Sequence, residues 1–374
     1  MIRIKLPATL IGHRLGMLDR HDQLDQYADN DGAAALARKV SFLSDPDSYD
    51  PKPETVVTRE THMSWVFMAG ERVYKLKKPI RFPYLDFSTL ERRAAACRAE
   101  ASLNRRLAGD VYLGLVPLIA TSTGYTIGGS GHIADWLVVM RRLDESQTLE
   151  AALGAGEIRQ AQVHRLAASL SRFYSHAARV MISPENYWLS MQKAVTTDRR
   201  VLLDPAFDLP FGIVARIAHV QLRFLQQQSA QLAGRVHHRF VCDGHGDLRP
   251  QHIWLSGTFP IIDCLEFDAR LRASDALDEL AFLHLECERL GGRWVGDMLR
   301  RRLAIQLGDS QDSSLFLFYR IGRAMLRARL SIAHLADAHP RTPEKWPRLA
   351  RAYLLLARGD ARRLERLLDG STRF

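Results

Sequence analysis

The run VCDGHGDLRPQHIWL, residues 241–255, places Asp243, His245, Asp247 and His252 in one stretch flanked by apolar residues. Such side chains suit two chemistries: collecting a metal ion, or holding one carboxylate where it can take a proton. A further acid, Asp263 in IIDCLEF, follows sixteen residues after Asp247. Far upstream, VYKLKKP holds Lys75, Lys77 and Lys78, three of the chain's eight lysines. A scarce cation clustered in a strand-like segment, with Glu100 in the helix-like segment after it, suits the binding of phosphate oxygens.

Phosphoryl transfer from ATP requires a cation at the phosphates, metal bridging the β- and γ-oxygens, and a carboxylate that orients the attacking hydroxyl and takes its proton. Asp247 is the candidate base and Asp263 the candidate metal carboxylate. Lys75 or Lys77 is the candidate phosphate cation, with Glu100 as its partner. The strand predicted at 136–142, with Val139 and Met140 at its centre, is the candidate hinge whose backbone meets adenine.

The elements that must position these groups follow from periodicity. Residues 1–50 open polar and Asp-rich, with a helix predicted over Ala33–Leu43 before the proline-containing connector DPDSYDPKPE, and read as an N-terminal extension. From Thr55 the pattern alternates with period two and predicts an antiparallel hairpin turning at Ala69-Gly70. Ser88 or Thr89 then caps a helix carrying Leu90, Ala94, Cys97, Leu103 and Leu107 on one face. Strands are predicted at 111–128 and 133–142. Beyond Asp144 helices are predicted at 147–154, 158–181, 211–234, 275–290, 293–307, 313–337 and 343–368. A loop at 241–270 interrupts them with a short hairpin turning at Gly257. This is an α+β layout in two lobes: a small strand-rich lobe at 51–143 and a larger helical lobe at 144–374, the latter carrying the loop 243–252 and Asp263.

Composition narrows the class. With 374 residues, 47% of them apolar, the chain can fill a sizeable core. The net charge of +10 is carried by arginines interleaved with acids in helical segments, which points to solvated helix faces and away from nucleic acid. Arg323, Arg327 and Arg329 in IGRAMLRARL are read as such a face, with the lining of a substrate cleft as the alternative. The positive surplus nonetheless suits an anionic ligand. Cys97, Cys242, Cys264 and Cys287 form no CxxC pair and are expected to be buried thiols. No long uncharged apolar run occurs, so no membrane span is expected and the cytoplasm is the expected compartment.

With these residues in view, the chain resembles the aminoglycoside phosphotransferase family of the protein-kinase-like fold, and within it an uncharacterised bacterial branch. The likeness runs from RETHMSWVFMAGERVYKLKKPIRFPYLDFSTLERR through HGDLRPQHIWL and IIDCLEFDARLRASDALDELAF to RAMLRARLSIAHL. Some members of that branch add a P-loop domain; no GxxxxGK[ST] occurs here, so a stand-alone kinase-like protein is expected. The resemblance implies ATP with Mg²⁺ or Mn²⁺ as cofactors and a small-molecule hydroxyl as acceptor. It implies that Asp247 is the catalytic base, that Asp263 is the metal ligand, and that Lys75, with Lys77 competing, holds the phosphates beside Glu100. Asp275 would brace the catalytic loop, and His245 would support it by bonding loop backbone.

Two features depart from the family pattern. TRETHMS contains no glycine, so the phosphate flap would fall to backbone amides at Thr61 to Ser64. His252 stands where a metal-binding Asn is expected, and imidazole suits softer ions than Mg²⁺. The alternative is therefore a pseudokinase that binds nucleotide with little transfer. A metal-dependent hydrolase using Asp243, His245, Asp247 and His252 is a third reading, which leaves the lysines and Glu100 idle.

Overall fold

The structure, a computed structural model, describes residues 3–5, 30–82, 85–309, 312–336 and 342–371. The Asp-rich opening of the N-terminal extension lies outside the described residues. In chain order come β1 (Arg3–Lys5), α1 (Asn30–Ser44), β2 (Val56–Glu60), β3 (Ser64–Ala69), β4 (Arg72–Lys77), β5 (Arg81–Phe82), β6 (Leu85–Asp86), α2 (Leu90–Ala108), β7 (Tyr112–Thr121), β8 (Gly124–Ile127) and β9 (His132–Arg141). There follow α3 (Leu149–Ala155), α4 (Gln160–His176), β10 (Arg179–Met181), α5 (Pro184–Leu202), α6 (Phe211–Gln227), α7 (Ser229–His237), β11 (Val241–Asp243), α8 (Ala269–Arg272), β12 (Ala273–Asp275), α9 (Ala276–Arg289), α10 (Arg293–Leu307), α11 (Ser313–Ala333) and α12 (Lys345–Ser371).

These elements gather into two compact units. One holds α1 to β9 as far as Thr148, together with His252–Asp268; the other holds β1, Leu149–Gln251 and the chain from Ala269 onward. The expected α+β class is borne out, with strands gathered in the first unit and helices in the second.

In the strand-rich unit six strands pair antiparallel in the order β2-β3-β4-β9-β7-β8. Strand alternation assigns each face a different partner. Tyr74, Leu76 and Leu137 join Leu36, Leu43 and Tyr49 in the core under α1. Val138 and Met140 face the other way and pack with Cys97, Ala101 and Tyr112. Lys75 and Lys77, out of phase with Leu76, therefore lie on the α2 face. α2 begins at Thr89, whose hydroxyl accepts the Arg92 amide, and buries Cys97, Glu100, Ala101, Asn104 and Ala108 along one helical stripe.

The helical unit packs α5, α6, α9, α11 and α12 around one large apolar core. A small sheet, β1-β10-β11-β12, runs beside the loop that carries Asp247. Three elements differ from expectation, one being the helix predicted over 211–234, which is divided at Gln228 into α6 and α7. The helix predicted over 158–181 stops at His176, because Arg179–Met181, centred on the β-branched Val180, forms β10. The following helix α5 was not anticipated, although Ser183 caps it at the Asn186 amide and Pro184 fills its first turn. Cys97, Cys242, Cys264 and Cys287 are all buried, and none is in a disulfide. Among the described residues no helix is long and apolar enough to cross a membrane.

Candidate functional site

In the strand-rich unit, Lys75 and Lys77 converge on one carboxylate. Lys75 Nζ donates to Glu100 Oε1 at 2.8 Å and Lys77 Nζ to Glu100 Oε2 at 2.6 Å, with Glu100 only 1% exposed. The third lysine, Lys78, turns away to Glu60. The two converging lysines then diverge. Lys77 is 1% exposed, binds Glu266 at 2.5 Å and lies 5.0 Å from the Phe87 ring centroid. Lys75 keeps some exposure and reaches Asp263 Oδ1 at 3.3 Å, whose side chain is 50% exposed.

Burial pulls both ammoniums down, but Glu100 and the neighbouring acids outweigh it and hold them above the ordinary lysine range. Burial likewise works to raise Glu100, and the two lysines overcome it and lower the carboxyl. The cluster sets two ammoniums against three carboxylates, and Asp263 is the most exposed of the three. A surplus negative charge at the accessible end of a buried network is a place for a cation.

Asp263 itself has φ +66°, the left-handed region, which costs a non-glycine residue roughly 1–2 kcal/mol but suits Asp better than most. Its neighbour Cys264 is pinned there, donating its amide to Asn104 Oδ1 at 2.9 Å, while Asn104 Nδ2 donates to the Glu100 carbonyl. His252 is buried, with Nε2 3.5 Å from Asp263 Oδ2. The expected hairpin is present as a tight reversal: the Ile262 amide bonds the His252 carbonyl and the Trp254 amide the Pro260 carbonyl, about a turn with Gly257 at φ +55°.

Two expectations for this unit need correction. Val139 and Met140 lie inside β9, between β4 and β7, with ladder partners on both sides. Their backbone is committed to the sheet, so adenine cannot be met there. In the turn before β3, the Thr61 amide bonds the Ser64 carbonyl and the Ser64 amide bonds the Thr61 hydroxyl. Those two amides are spent within the turn and do not form a phosphate flap.

In the helical unit the Asp247 loop is built around a residue that sequence reasoning missed. Glu279 of α9 accepts the His245 amide at 2.9 Å, the Gly246 amide at 2.5 Å and the Tyr174 hydroxyl at 2.9 Å. A Cβ at Gly244 would stand 2.5 Å from the Glu279 Oε2, and Gly246 has φ +88°, so both glycines are geometric requirements. His245 is fully buried and its Nδ1 accepts the Asp247 amide at 3.3 Å. Asp247, 22% exposed, faces Arg249 across a 2.6 Å ion pair.

Asp275, expected as the brace, serves otherwise: its carboxylate caps α9 at the Leu277 amide and binds Arg235 at 2.6 and 2.8 Å and the Tyr319 hydroxyl at 3.0 Å. Glu279, one helical turn on, reaches the loop because it projects from the same face of α9. The spacing of four was legible in sequence; the loop's need for an acceptor was not.

Asp243 is 6% exposed and tied to Arg272 at 2.7 Å. Among the described residues no group of three or more His, Cys, Asp or Glu side chains is arranged to hold a metal, which the hydrolase reading required. Arg323 and Arg329, read as a solvated face, are buried instead, paired with Asp278 and Asp198; Arg327 is 20% exposed beside Glu286. The α11 pattern misled because its arginines are neutralised by acids on other helices, which periodicity does not register.

With this geometry in view, comparison with known proteins is informative on fold. No family model matches. Uncharacterised proteins of Mycobacterium tuberculosis and Mycobacterium bovis are each 33% identical over 291 residues, 75% of this chain. The chain spans 56% of the length of those relatives. Among solved structures, a thermostable mutant of an aminoglycoside phosphotransferase is 12% identical, covering 89% of this chain and 99% of that one at a TM-score of 0.47. A choline kinase from Cryptosporidium parvum is 9% identical, covering 89% of this chain and 97% of that one at a TM-score of 0.52. The chain shares the kinase-like α+β fold of that choline kinase, with an antiparallel sheet in its N-terminal part and a mainly helical C-terminal part.

Proposed function

We propose that the chain is an ATP-dependent phosphotransferase that moves the γ-phosphoryl group to a hydroxyl of a small molecule. The observation that carries this reading is Lys75: it is held by buried Glu100 yet reaches the half-exposed Asp263. A strand lysine fixed by a helix glutamate is pre-organised for phosphate oxygens, and its position beside an accessible carboxylate suits a metal-nucleotide complex. Lys77, enclosed between Glu100 and Glu266, is assigned a structural part, and this enclosure supports Lys75 over Lys77 as the phosphate lysine.

Asp263 would hold the divalent ion, with His252 as its neighbour. Mg²⁺ is commonly bound through one or two carboxylates with the remaining positions taken by phosphate and water, so this donor set fits such an ion once nucleotide is present. The nearby imidazole tilts preference toward Mn²⁺. Bound there, the ion would neutralise charge on the phosphate oxygens.

Asp247 is assigned the base that takes the acceptor hydroxyl's proton as its oxygen bonds the γ-phosphorus and the bond from that phosphorus to the bridging oxygen breaks, releasing ADP. Arg249, 2.6 Å from it, places positive charge beside the base, where charge on the transferring group can be stabilised. Glu279 and His245 hold the loop so that Asp247 does not have to be ordered on binding.

A pseudokinase is the second reading, favoured by the buried imidazole of His252 against Asp263. ATP turnover by the purified protein under Mg²⁺ and then Mn²⁺, with Asp247→Asn, Asp263→Ala and nucleotide binding measured alongside, separates the two. Turnover lost in both variants supports the transferase. Binding without turnover in either metal supports the pseudokinase, and absence of nucleotide binding refutes both.

A further inference from the structure

Glu266 has no part in the chemistry proposed above, yet it is placed where a bystander is not expected. Its carboxylate is about 10% exposed and meets Lys77 at 2.5 Å, while Lys77 is itself gripped by Glu100. Three residues upstream stands Asp263, in the left-handed region; between them the Cys264 amide is fixed by Asn104 and its sulfur lies 3.3 Å from an Arg106 nitrogen. Beyond Glu266, Phe267 packs on Ile80, Leu85, Phe87 and Ala96. The segment 263–267 is thus tied to β4 and α2 at three successive points, with its one half-exposed carboxylate at the first position.

We propose that Glu266, acting through Lys77, is a positioning residue that sets the Asp263 carboxylate for divalent-metal binding. The proposal rests on the reading of Asp263 as the metal carboxylate. Its physical basis is that an ion bound by few protein groups depends on how well each is pre-oriented. A buried ion pair whose lysine is also held by Glu100 fixes the segment in direction as well as in distance. Lys75 and Lys77 then divide the labour: one faces the ligand, while the other locks the ligand-binding carboxylate to the strand that carries both.

The test is Glu266→Gln in the full chain, which keeps the side chain's shape and removes its charge. The readout is Mn²⁺ affinity in the presence of a non-hydrolysable ATP analogue, compared with affinity for the analogue alone. Loss of an outer-shell partner costs about 10- to 100-fold in metal affinity, so a Mn²⁺ dissociation constant raised about 10-fold or more is expected, with metal-free analogue binding unchanged. In a Lys77→Met background the same substitution should add no further loss, because its effect passes through Lys77.

If Glu266→Gln binds Mn²⁺ as the wild type does, or lowers metal-free and metal-dependent binding equally, the positioning role is overturned while the phosphotransferase reading stands. If the wild type itself binds no Mn²⁺ with the analogue, the reading of Asp263 fails first. Should Glu266→Gln not fold, Glu266→Asp, which keeps the charge and shortens its reach to Lys77, decides by the same split: selective loss of Mn²⁺ affinity supports the proposal and unchanged affinity overturns it.

Discussion

Replacing Glu100 by Gln removes the charge on which two buried ammoniums converge. Breaking a buried ion pair by deleting one partner costs about 3–5 kcal/mol, because the other charge is left uncompensated. Here neither lysine is wholly abandoned: Lys77 keeps Glu266 at 2.5 Å and Lys75 keeps Asp263 at 3.3 Å. The expected loss therefore sits near the lower end, about 3 kcal/mol. For a folding unit of this size that corresponds to a melting temperature lower by roughly 6–12 °C.

The pH dependence supplies an independent sign. In the wild type the lysines are raised above their unfolded values, so their stabilisation is fully present below about pH 10.4 and is lost only as pH rises through the higher folded values. In Glu100→Gln, burial of Lys75 is opposed by fewer acids and its folded value falls. Less stabilisation is then left to lose at high pH, so stability of the variant should decline less steeply than that of the wild type as pH rises above about 10.4. Thermal melts of both proteins across this range measure the two effects together. A variant melting within about 1 °C of the wild type, with the same pH profile, would refute the electrostatic account of the cluster.

Two further expectations concern the helical unit. Gly244→Ala drives a Cβ to within 2.5 Å of Glu279, so the carboxylate must leave the His245 and Gly246 amides. Two hydrogen bonds to a charged acceptor are worth about 3–6 kcal/mol together, and a urea melt should show that loss along with reduced ATP turnover. Burial and Arg320 push the His284 ring down to about 4, so its contact with Asp297 is a hydrogen bond from a neutral ring and not an ion pair. Its unfolded value lies near 6.5, so its contribution is complete above that pH and declines as pH falls toward 4, on the order of 3 kcal/mol. His284→Gln should therefore lose less stability than the wild type between about pH 7 and 5; an identical slope would count against a neutral buried ring.

Local chemistry determined much of this protein from its sequence. Period-two alternation around Leu76 places Lys75 and Lys77 on one face of β4, and Thr89 with the stripe Cys97, Glu100, Ala101, Asn104 builds the helix that meets them. The lysine–glutamate encounter was legible because each half is periodic and each sits on a regular element. Helix α5 was also legible, in the Ser183-Pro184 start, but the preceding helical pattern was carried past its end. Only tertiary structure decided which acids serve which bases. Glu266 reaches Lys77 across 189 positions, Cys264 reaches Asn104 across 160, and the arginines of α11 find their carboxylates on other helices. Ion pairing depends on separation in space and on shared desolvation, neither of which has a period along the chain. The same reason made Asp275 look like the loop's brace: it opens the right helix, but the loop amides lie one turn further along, at Glu279.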